Sequence, residues 1–344
     1  MSDVKFKNLS TLIGSNTDLV QGAGGNTSIK NDKGMLIKAS GTWLSNANKE
    51  NIFVTVNEEI IKKNIFDGKK NPIEGSIIDQ TSLRPSIETT LHALMPHKIV
   101  LHTHPTKLIS HLIAKNGKEY FNSILSNENW SWIPYARPGI DLSKKIIESI
   151  GDNNPNILLL ANHGLVVGGN NCDEAENLMN RILDKCRYRK REFLQPTMDS
   201  TNILAKKLKM RLPQYKDIHA LAMDEITFNR SITNNGILYP DQAVFLGYKM
   251  PCYFKLEEFL KEKEVLRNYP KHNFLILKNE GVFINEDMGN DIDEMLLAHS
   301  RILQGVSEEV KINYLSKNDV NELLNWEPEK YRIQMKKDSN SYRY

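Results

Sequence analysis

His102 and His104 lie in the stretch Lys98-Ile-Val-Leu-His-Thr-His-Pro105, with one residue between them. The apolar run before them reads as a short buried strand that Pro105 ends. Residues two apart on a strand point to the same face, so both imidazoles project together and can hold one divalent metal ion stiffly. A lone His-x-His pair also arises without any ligand role, so a metal site needs further ligands. His163, in the tight turn Asn162-His163-Gly164 between two apolar strands, is a third imidazole on a rigid turn. Glu88, in the first turn of the helix leading to the His102 strand, adds a carboxylate. Three neutral imidazoles and a carboxylate suit Zn²⁺, with Mn²⁺, Co²⁺ or Fe²⁺ as alternatives. Spacing leaves their convergence open. His92, His97 and His111 are further imidazoles. His97 and His111 read as ordinary surface or helix residues, and His92 as lying on the helix away from Glu88.

Two small-residue turns form a second feature. Gly24-Gly-Asn-Thr-Ser28 and Ala39-Ser-Gly-Thr42 present hydroxyls and backbone N–H groups. Oxyanion cradles have this character, and so do plain hairpin turns. Lys38, Arg84 and Arg137 are candidates to add positive charge.

These residues need elements to position them. Thr27–Lys30 and Gly34–Gly41 read as a hairpin, and Pro85–Met95 as a helix with Pro85 in its first turn and an apolar face at Ile87, Leu91 and Leu94. Asn156–Ala161 and Leu165–Val167 are apolar strands, followed by an amphipathic helix over Asp173–Phe193. The pattern recurs. Asn156-Ile-Leu-Leu-Leu-Ala-Asn-His-Gly-Leu-Val-Val167 aligns with Asn273-Phe-Leu-Ile-Leu-Lys-Asn-Glu-Gly-Val-Phe-Ile284, and Glu280 stands where the first copy has His163. The expected organisation is a metal domain over residues 1–200, a lobe over 201–325 with a degenerate partial repeat, and a polar tail over 326–344.

Composition excludes several classes. The 344 residues are 40% hydrophobic and 25% charged, which is ordinary for a globular protein. A formal charge of +3 is spread along the chain. It does not favour nucleic acid or an anionic membrane, and the basic run Lys185–Glu192 reads as a solvated helix end. Cys172, Cys186 and Cys252 have no Cys-x-x-Cys spacing, so neither a disulfide framework nor a thiolate zinc site is expected. The absence of an apolar leader or span points to the cytoplasm.

Taken in order, Gly24-Gly-Asn-Thr-Ser28, Lys38-Ala-Ser-Gly-Thr-Trp-Leu44, Arg84-Pro-Ser-Ile-Glu88, Leu101-His-Thr-His-Pro105 and Asn162-His-Gly-Leu-Val-Val-Gly-Gly169 resemble the class II aldolase/adducin family. The motif wording is similar to the aldolase portion of bacterial rhamnose-linked aldolase–dehydrogenase fusions, without the Gly-x-Gly-x-x-Gly of a dehydrogenase half. The resemblance is strong over residues 8–195. It implies an α/β fold, a three-layer α/β/α sandwich with a mostly antiparallel central sheet, plus a smaller C-terminal α/β lobe.

The resemblance also implies roles. His102, His104 and His163 would bind zinc, and Glu88 would serve as ligand or acid/base. Asn26, Thr27, Ser40, Gly41 and Ser86 match phosphate-holding positions, while Ile87 replaces a serine often found in sugar-phosphate aldolases. The implied reaction is cleavage or formation of a carbon–carbon bond in a ketose, or related hydroxy-carbonyl compound, carrying a phosphate, through a zinc-stabilised enediolate. Tyr135, or Tyr342 or Tyr344 from a neighbouring subunit, would be the acid for the other fragment. Epimerase, dehydratase and decarboxylase chemistry, or a non-catalytic adducin-like module, are the alternatives; Glu88 favours an aldolase over an epimerase. The implied partner is a small sugar phosphate, with no nucleic acid or membrane, in a homo-oligomer that by resemblance is a tetramer.

Overall fold

A computed structural model describes residues 2–232, 236–247, 249–265 and 273–327. It divides into two compact units, residues 1–187 with 311 onward, and residues 188–310. The sequence expectation put the break near 200 and kept residues up to 325 in the second lobe. In the structure Asn313 N donates to Ile113 O (2.7 Å) and Lys115 N to Lys311 O (2.8 Å), which ties the C-terminal stretch to the first unit. Of the expected tail, only Trp326 and Glu327 fall among the described residues.

In the first unit the described residues form a seven-stranded sheet: β1 (Asn26–Asn31), β2 (Gly34–Lys38), β3 (Phe53–Val56), β4 (Ile99–Thr103), β5 (Trp130–Ile133), β6 (Ile157–Leu160) and β7 (Gly164–Gly169). The order is β3-β2-β1-β4-β7-β6-β5, antiparallel throughout except β5 beside β6. Helices cover both faces. α1 (Ser2–Gly14), α4 (Thr106–Leu112) and α7 (Cys172–Lys185) lie on one; α2 (Glu58–Phe66), α3 (Thr89–Leu94) and α6 (Ile140–Ile150) lie on the other, with α5 (Gly117–Ile124) packed on α4. This is the expected three-layer sandwich. Both faces being covered explains why β4, β6 and β7 read as continuous apolar runs, not as alternation. The core under α3 and α6 joins Leu91, Val100, Ile146, Leu158 and Val166.

Two helices differ from expectation. The helix expected from Pro85 begins only at Thr89, with Glu88 at its N-cap. Residues 84–86 are extended because they pair with the end of β2: Ser40 N donates to Arg84 O (2.8 Å) and Ser86 N to Lys38 O (3.0 Å). The helix expected to reach Phe193 ends at Lys185, because the backbone of Arg187 is bonded elsewhere, to the Tyr120 hydroxyl (2.7 Å) and His111 Nε2 (2.6 Å). The basic run after Lys185 is therefore irregular chain, not helix.

The second unit holds a smaller sheet, β8 (Met210–Arg211), β9 (Cys252–Tyr253), β10 (Phe274–Leu277) and β11 (Gly281–Asn285), in the order β8-β11-β10-β9. Its directions match β4-β7-β6-β5: the hairpin and the β8 pairing are antiparallel and β9 runs parallel to β10. The two hairpin turns share a left-handed asparagine, Asn162 (φ 54°) and Asn279 (φ 62°). Leu101 pairs with Val167 and Arg211 with Ile284, so counting from those registers sets Leu212, Gln214 and Glu280 where the first unit has His102, His104 and His163.

Candidate metal centre

The three histidines meet because the end of β4 and the β6–β7 turn lie side by side at one end of the large sheet's strands. His102 is the penultimate residue of β4, the strand between β1 and β7, and stands directly between Asn26 and Val166. Its Nδ1 donates to Leu165 O (3.0 Å), which makes Nε2 the ligating nitrogen. His104 follows at the strand end, its backbone N–H fixed to Leu19 O (2.8 Å). His163 comes from the β6–β7 turn, whose left-handed Asn162 is clamped from the C-terminal stretch. Asn162 Nδ2 donates to Asn313 O (2.7 Å), and Asn313 Nδ2 to Asn162 Oδ1 (3.1 Å). Gly164 is required by crowding: a Cβ there would lie 2.5 Å from Thr103 O and 3.0 Å from the His104 ring.

His102, His104 and His163 are buried, with ligand atoms all within 4.8 Å of one another, a group that can hold a metal ion. The closest approaches are shorter. His102 Nε2 lies 3.0 Å from His104 Nε2, and Glu88 Oε1 lies 3.3 Å from His102 Nε2 and 3.2 Å from His163 Nε2. A tetrahedral ion with bonds of about 2.0–2.1 Å sets its ligands about 3.3–3.4 Å apart, so these edges fit one ion. Glu88 Oε1 is buried without a hydrogen-bond partner, as a ligand oxygen would be. Burial raises the Glu88 pKa, but the adjoining His102 and His163 outweigh it and hold the carboxyl well below its usual range. Burial pushes the His163 pKa down against the pull of Glu88, favouring the neutral, ligating imidazole.

Behind Glu88 lies a chain of buried polar groups that the sequence reading missed. Asn26 Nδ2 donates to Glu88 Oε2 (2.8 Å) and to Ser86 Oγ (3.1 Å). The Asn26 Oδ1 accepts from His92 Nε2, and Ser28 Oγ donates to His92 Nδ1 (2.7 Å). Burial pulls the His92 pKa down to about 3, so the ring is neutral. The amide oxygen at Nε2 then fixes its tautomer. His92 is thus joined to Glu88 through Asn26, contrary to the expectation that it points elsewhere. The signal was present: His92 is four residues after Glu88, on the same helical face.

Of the expected anion-holding residues, Asn26 and Ser86 are brought together beside Glu88, and Thr27 is turned away from them. The Asn26 amide is engaged by Glu88, Ser86 and His92. Thr27 alternates to the opposite sheet face. There its Oγ1 meets Ser10 Oγ at 2.7 Å beneath α1. Ser86 Oγ accepts from Asn26 and from Glu88 N (3.3 Å). Ser40 lines a cleft together with Pro85 and Ile87, and Gly41 is a left-handed turn residue (φ 79°). Lys38 is a buried strut, donating to Ala23 O (2.9 Å) and Thr42 O (2.7 Å). Tyr135 is half-buried just past β5, at the same sheet end as His163. Three strand spacings, about 14 Å, separate β5 from β4. Tyr342 and Tyr344 lie outside the described residues.

Comparison with known proteins bears on the same residues. The family model described as "Class II Aldolase and Adducin N-terminal domain" matches residues 10–189. A Bacillus subtilis (strain 168) protein described as "Uncharacterized oxidoreductase YuxG" is 32% identical over 229 residues, covering 62% of this chain. The chain spans about a third (32%) of that relative's length. Among solved structures, the N-terminal class II aldolase domain of a conserved Thermoplasma acidophilum protein is 25% identical, with a TM-score of 0.46 over 53% of this chain and 90% of that one. An L-fuculose-1-phosphate aldolase from Thermus thermophilus is 16% identical, with a TM-score of 0.37 over 54% and 91%. With a matched segment of this extent ending just beyond α7, the chain belongs to the class II aldolase and adducin N-terminal domain family.

Proposed function

We propose that this protein is a metal-dependent aldolase that cleaves or forms a carbon–carbon bond in a hydroxy-carbonyl compound, a phosphorylated ketose being the leading substrate class. The observation that carries this reading is the set of Glu88 Oε1 and the Nε2 atoms of His102, His104 and His163, with nearest separations of 3.0, 3.2 and 3.3 Å. Zn²⁺ is the preferred ion for that donor set, with Mn²⁺, Co²⁺ and Fe²⁺ as alternatives. When bound, such an ion supplies Lewis-acid stabilisation of the negative charge that develops on a carbonyl oxygen. His102, His104 and His163 hold it. Glu88 is a ligand of the substrate-free site and, once substrate takes its place, the base: Asn26 anchors Oε2 and Oε1 faces the reacting centre. It is placed to give or take the proton at the carbon beside the carbonyl. Tyr135 is the assigned proton donor to the departing fragment. We read residues 188–310 as a degenerate partial copy, in which Leu212, Gln214 and Glu280 replace the three imidazoles.

The test is a screen of ketose 1-phosphates and related hydroxy acids for metal-dependent cleavage, with metal content measured alongside. Activity that disappears with chelator and in His102→Ala supports the reading. Full activity and metal content in His102→Ala overturn it.

A further inference from the structure

Residues 311–327 belong to the first unit, and both ends of this segment are attached at the sheet end that carries the metal centre. The register places four features at that end. His102 pairs with Asn26, the turn 161–163 joins β6 to β7, Ala39 bridges to Pro85, and Gly139 follows β5, whose Ile133 pairs with Leu160. Asn313 is fixed at the His163 turn by its two side-chain bonds to Asn162, and its N–H donates to Ile113 O (2.7 Å). At the far end, Trp326 packs on the backbone of Gly139 (φ 93°). A Cβ there would lie 2.8 Å from the indole ring and 3.6 Å from Ile87 O. The segment thus begins beside His163 and ends near the residue that precedes Glu88, two groups whose ligand atoms are 3.2 Å apart.

Between these attachments lies a stiff rod on a soft joint. A capping box closes the start of the helix Lys317–Asn325: Ser316 Oγ accepts from Asp319 N (3.1 Å) and Ser316 N donates to Asp319 Oδ2 (3.1 Å). Past Asn313 the described attachments to the unit are side-chain ones. Leu315, Val320 and Leu323 are buried. The Arg137 guanidinium lies 5.2 Å from the Trp326 ring centre, and Arg84 Nη1 donates to Glu327 Oε1 (3.2 Å) with both side chains more than half exposed. Exposed ion pairs and cation–π contacts are each weak. The distal end is therefore latched lightly, while Asn313 is held by backbone and side chain together.

The metal centre needs an opening of this kind. His102, His104, His163 and Glu88 are each at most 6% exposed, yet a carbonyl is polarised only by reaching the ion. The other walls are fixed, because β4 and β7 are locked in the ladder and residues 84–86 are paired to the end of β2. We propose that residues 314–327 are a hinged strap over the metal centre. Asn313 is the fixed end, residues 314–316 are the joint, and Trp326 with Glu327 is the latch. The strap opens to admit substrate and shuts to exclude water. Its role rests on the reading of that centre as a metal site that takes a substrate.

Two measurements on the full chain test the strap. In the first, Co²⁺ uptake and Co²⁺ release to excess chelator are both timed. A gate scales the two rates together and leaves the dissociation constant unchanged. Trp326→Ala is expected to speed both at least about threefold, and Glu327→Gln about two- to fivefold. The charge swap Arg84→Glu with Glu327→Arg is expected to return them toward the wild-type values. Wild-type rates in both single variants, or a changed dissociation constant with unchanged uptake, overturn the strap. The second measurement needs no metal. The thiol introduced by Leu323→Cys is buried when the strap is shut. It is expected to react with a maleimide through local opening, at a rate independent of low urea and raised by Trp326→Ala. Labelling no faster than global unfolding overturns the proposal. Local labelling in a chain that binds no Co²⁺ would instead uphold the hinged strap and strike the metal reading.

Discussion

Asn26 Nδ2 donates to Glu88 Oε2 at 2.8 Å, which holds one oxygen of the carboxylate and leaves Oε1 facing His102 and His163. The amide can do this because its own oxygen accepts from the neutral His92 ring. A residue expected to cradle an anion therefore orients the proposed base. Groups that orient ligands in this way are worth about 10–100-fold in metal affinity. Asn26→Ala and His92→Phe are each expected to weaken the bound ion by that factor, measured by chelator competition, with the double variant close to either single one. Additive losses would mean that the two residues act separately.

His163→Ala removes a ligand and should lower metal content by at least about tenfold in elemental analysis, given the cost of losing one of four ligands. Gly164→Ala should act on the same site by crowding. Its new Cβ would come within 2.5 Å of Thr103 O, forcing β4 away from β7. A loss of about 2 kcal/mol or more in urea unfolding is expected, in the range of overpacked cores, together with loss of metal. A Gly164→Ala chain that folds and loads as the wild type does would remove the crowding argument.

Tyr135→Phe separates proton donation from metal binding. As the assigned donor, Tyr135 is expected to contribute about 10²–10⁴-fold to turnover and nothing to metal content. Unchanged turnover on a substrate found by the screen would pass the role to another group.

The clamp on the His163 turn predicts a long-range stability effect. Asn313→Ala leaves the Asn162 side-chain oxygen without its Asn313 donor, at 151 residues' separation. Losing a buried hydrogen-bond partner costs about 1–3 kcal/mol, so a lower urea midpoint and weaker metal binding are expected together. Asn162→Ala should cost more than Asn162→Gly, because φ at this position is 54°. Glycine alone accepts that region without strain.

In the second unit, burial lowers the pKa of His219 and His299 from 6.5 to about 4. The unfolded chain takes up these protons near pH 6.5 and the folded one near 4, so stability is fully present above about 6.5 and is lost as pH falls toward about 4. His219 Nδ1 also accepts from Val282 N (3.1 Å), a bond that needs the neutral ring. His299→Asn is expected to flatten the decline between about pH 6.5 and 4 in thermal melts. An unchanged slope would show that His299 does not set it.

The sequence by itself determined the strand that presents His102 and His104 and the turn that carries His163, while the sandwich was legible only through the family resemblance. The strand and the turn are local features: a two-residue period, a proline stop, an apolar run and an asparagine able to turn left-handed. The echo between Asn162-His-Gly164 and Asn279-Glu-Gly281 was legible for the same reason. Tertiary structure alone decided which groups converge. The late start of α3 depends on pairing of residues 84–86 with β2, the engagement of Asn26 on β1 facing β4 across the sheet, and the His163 clamp on Asn313 returning from beyond the second unit. Such contacts join residues far apart along the chain. Their proximity is set by strand order and by which sheet face each side chain takes, and no periodicity in the chain encodes either.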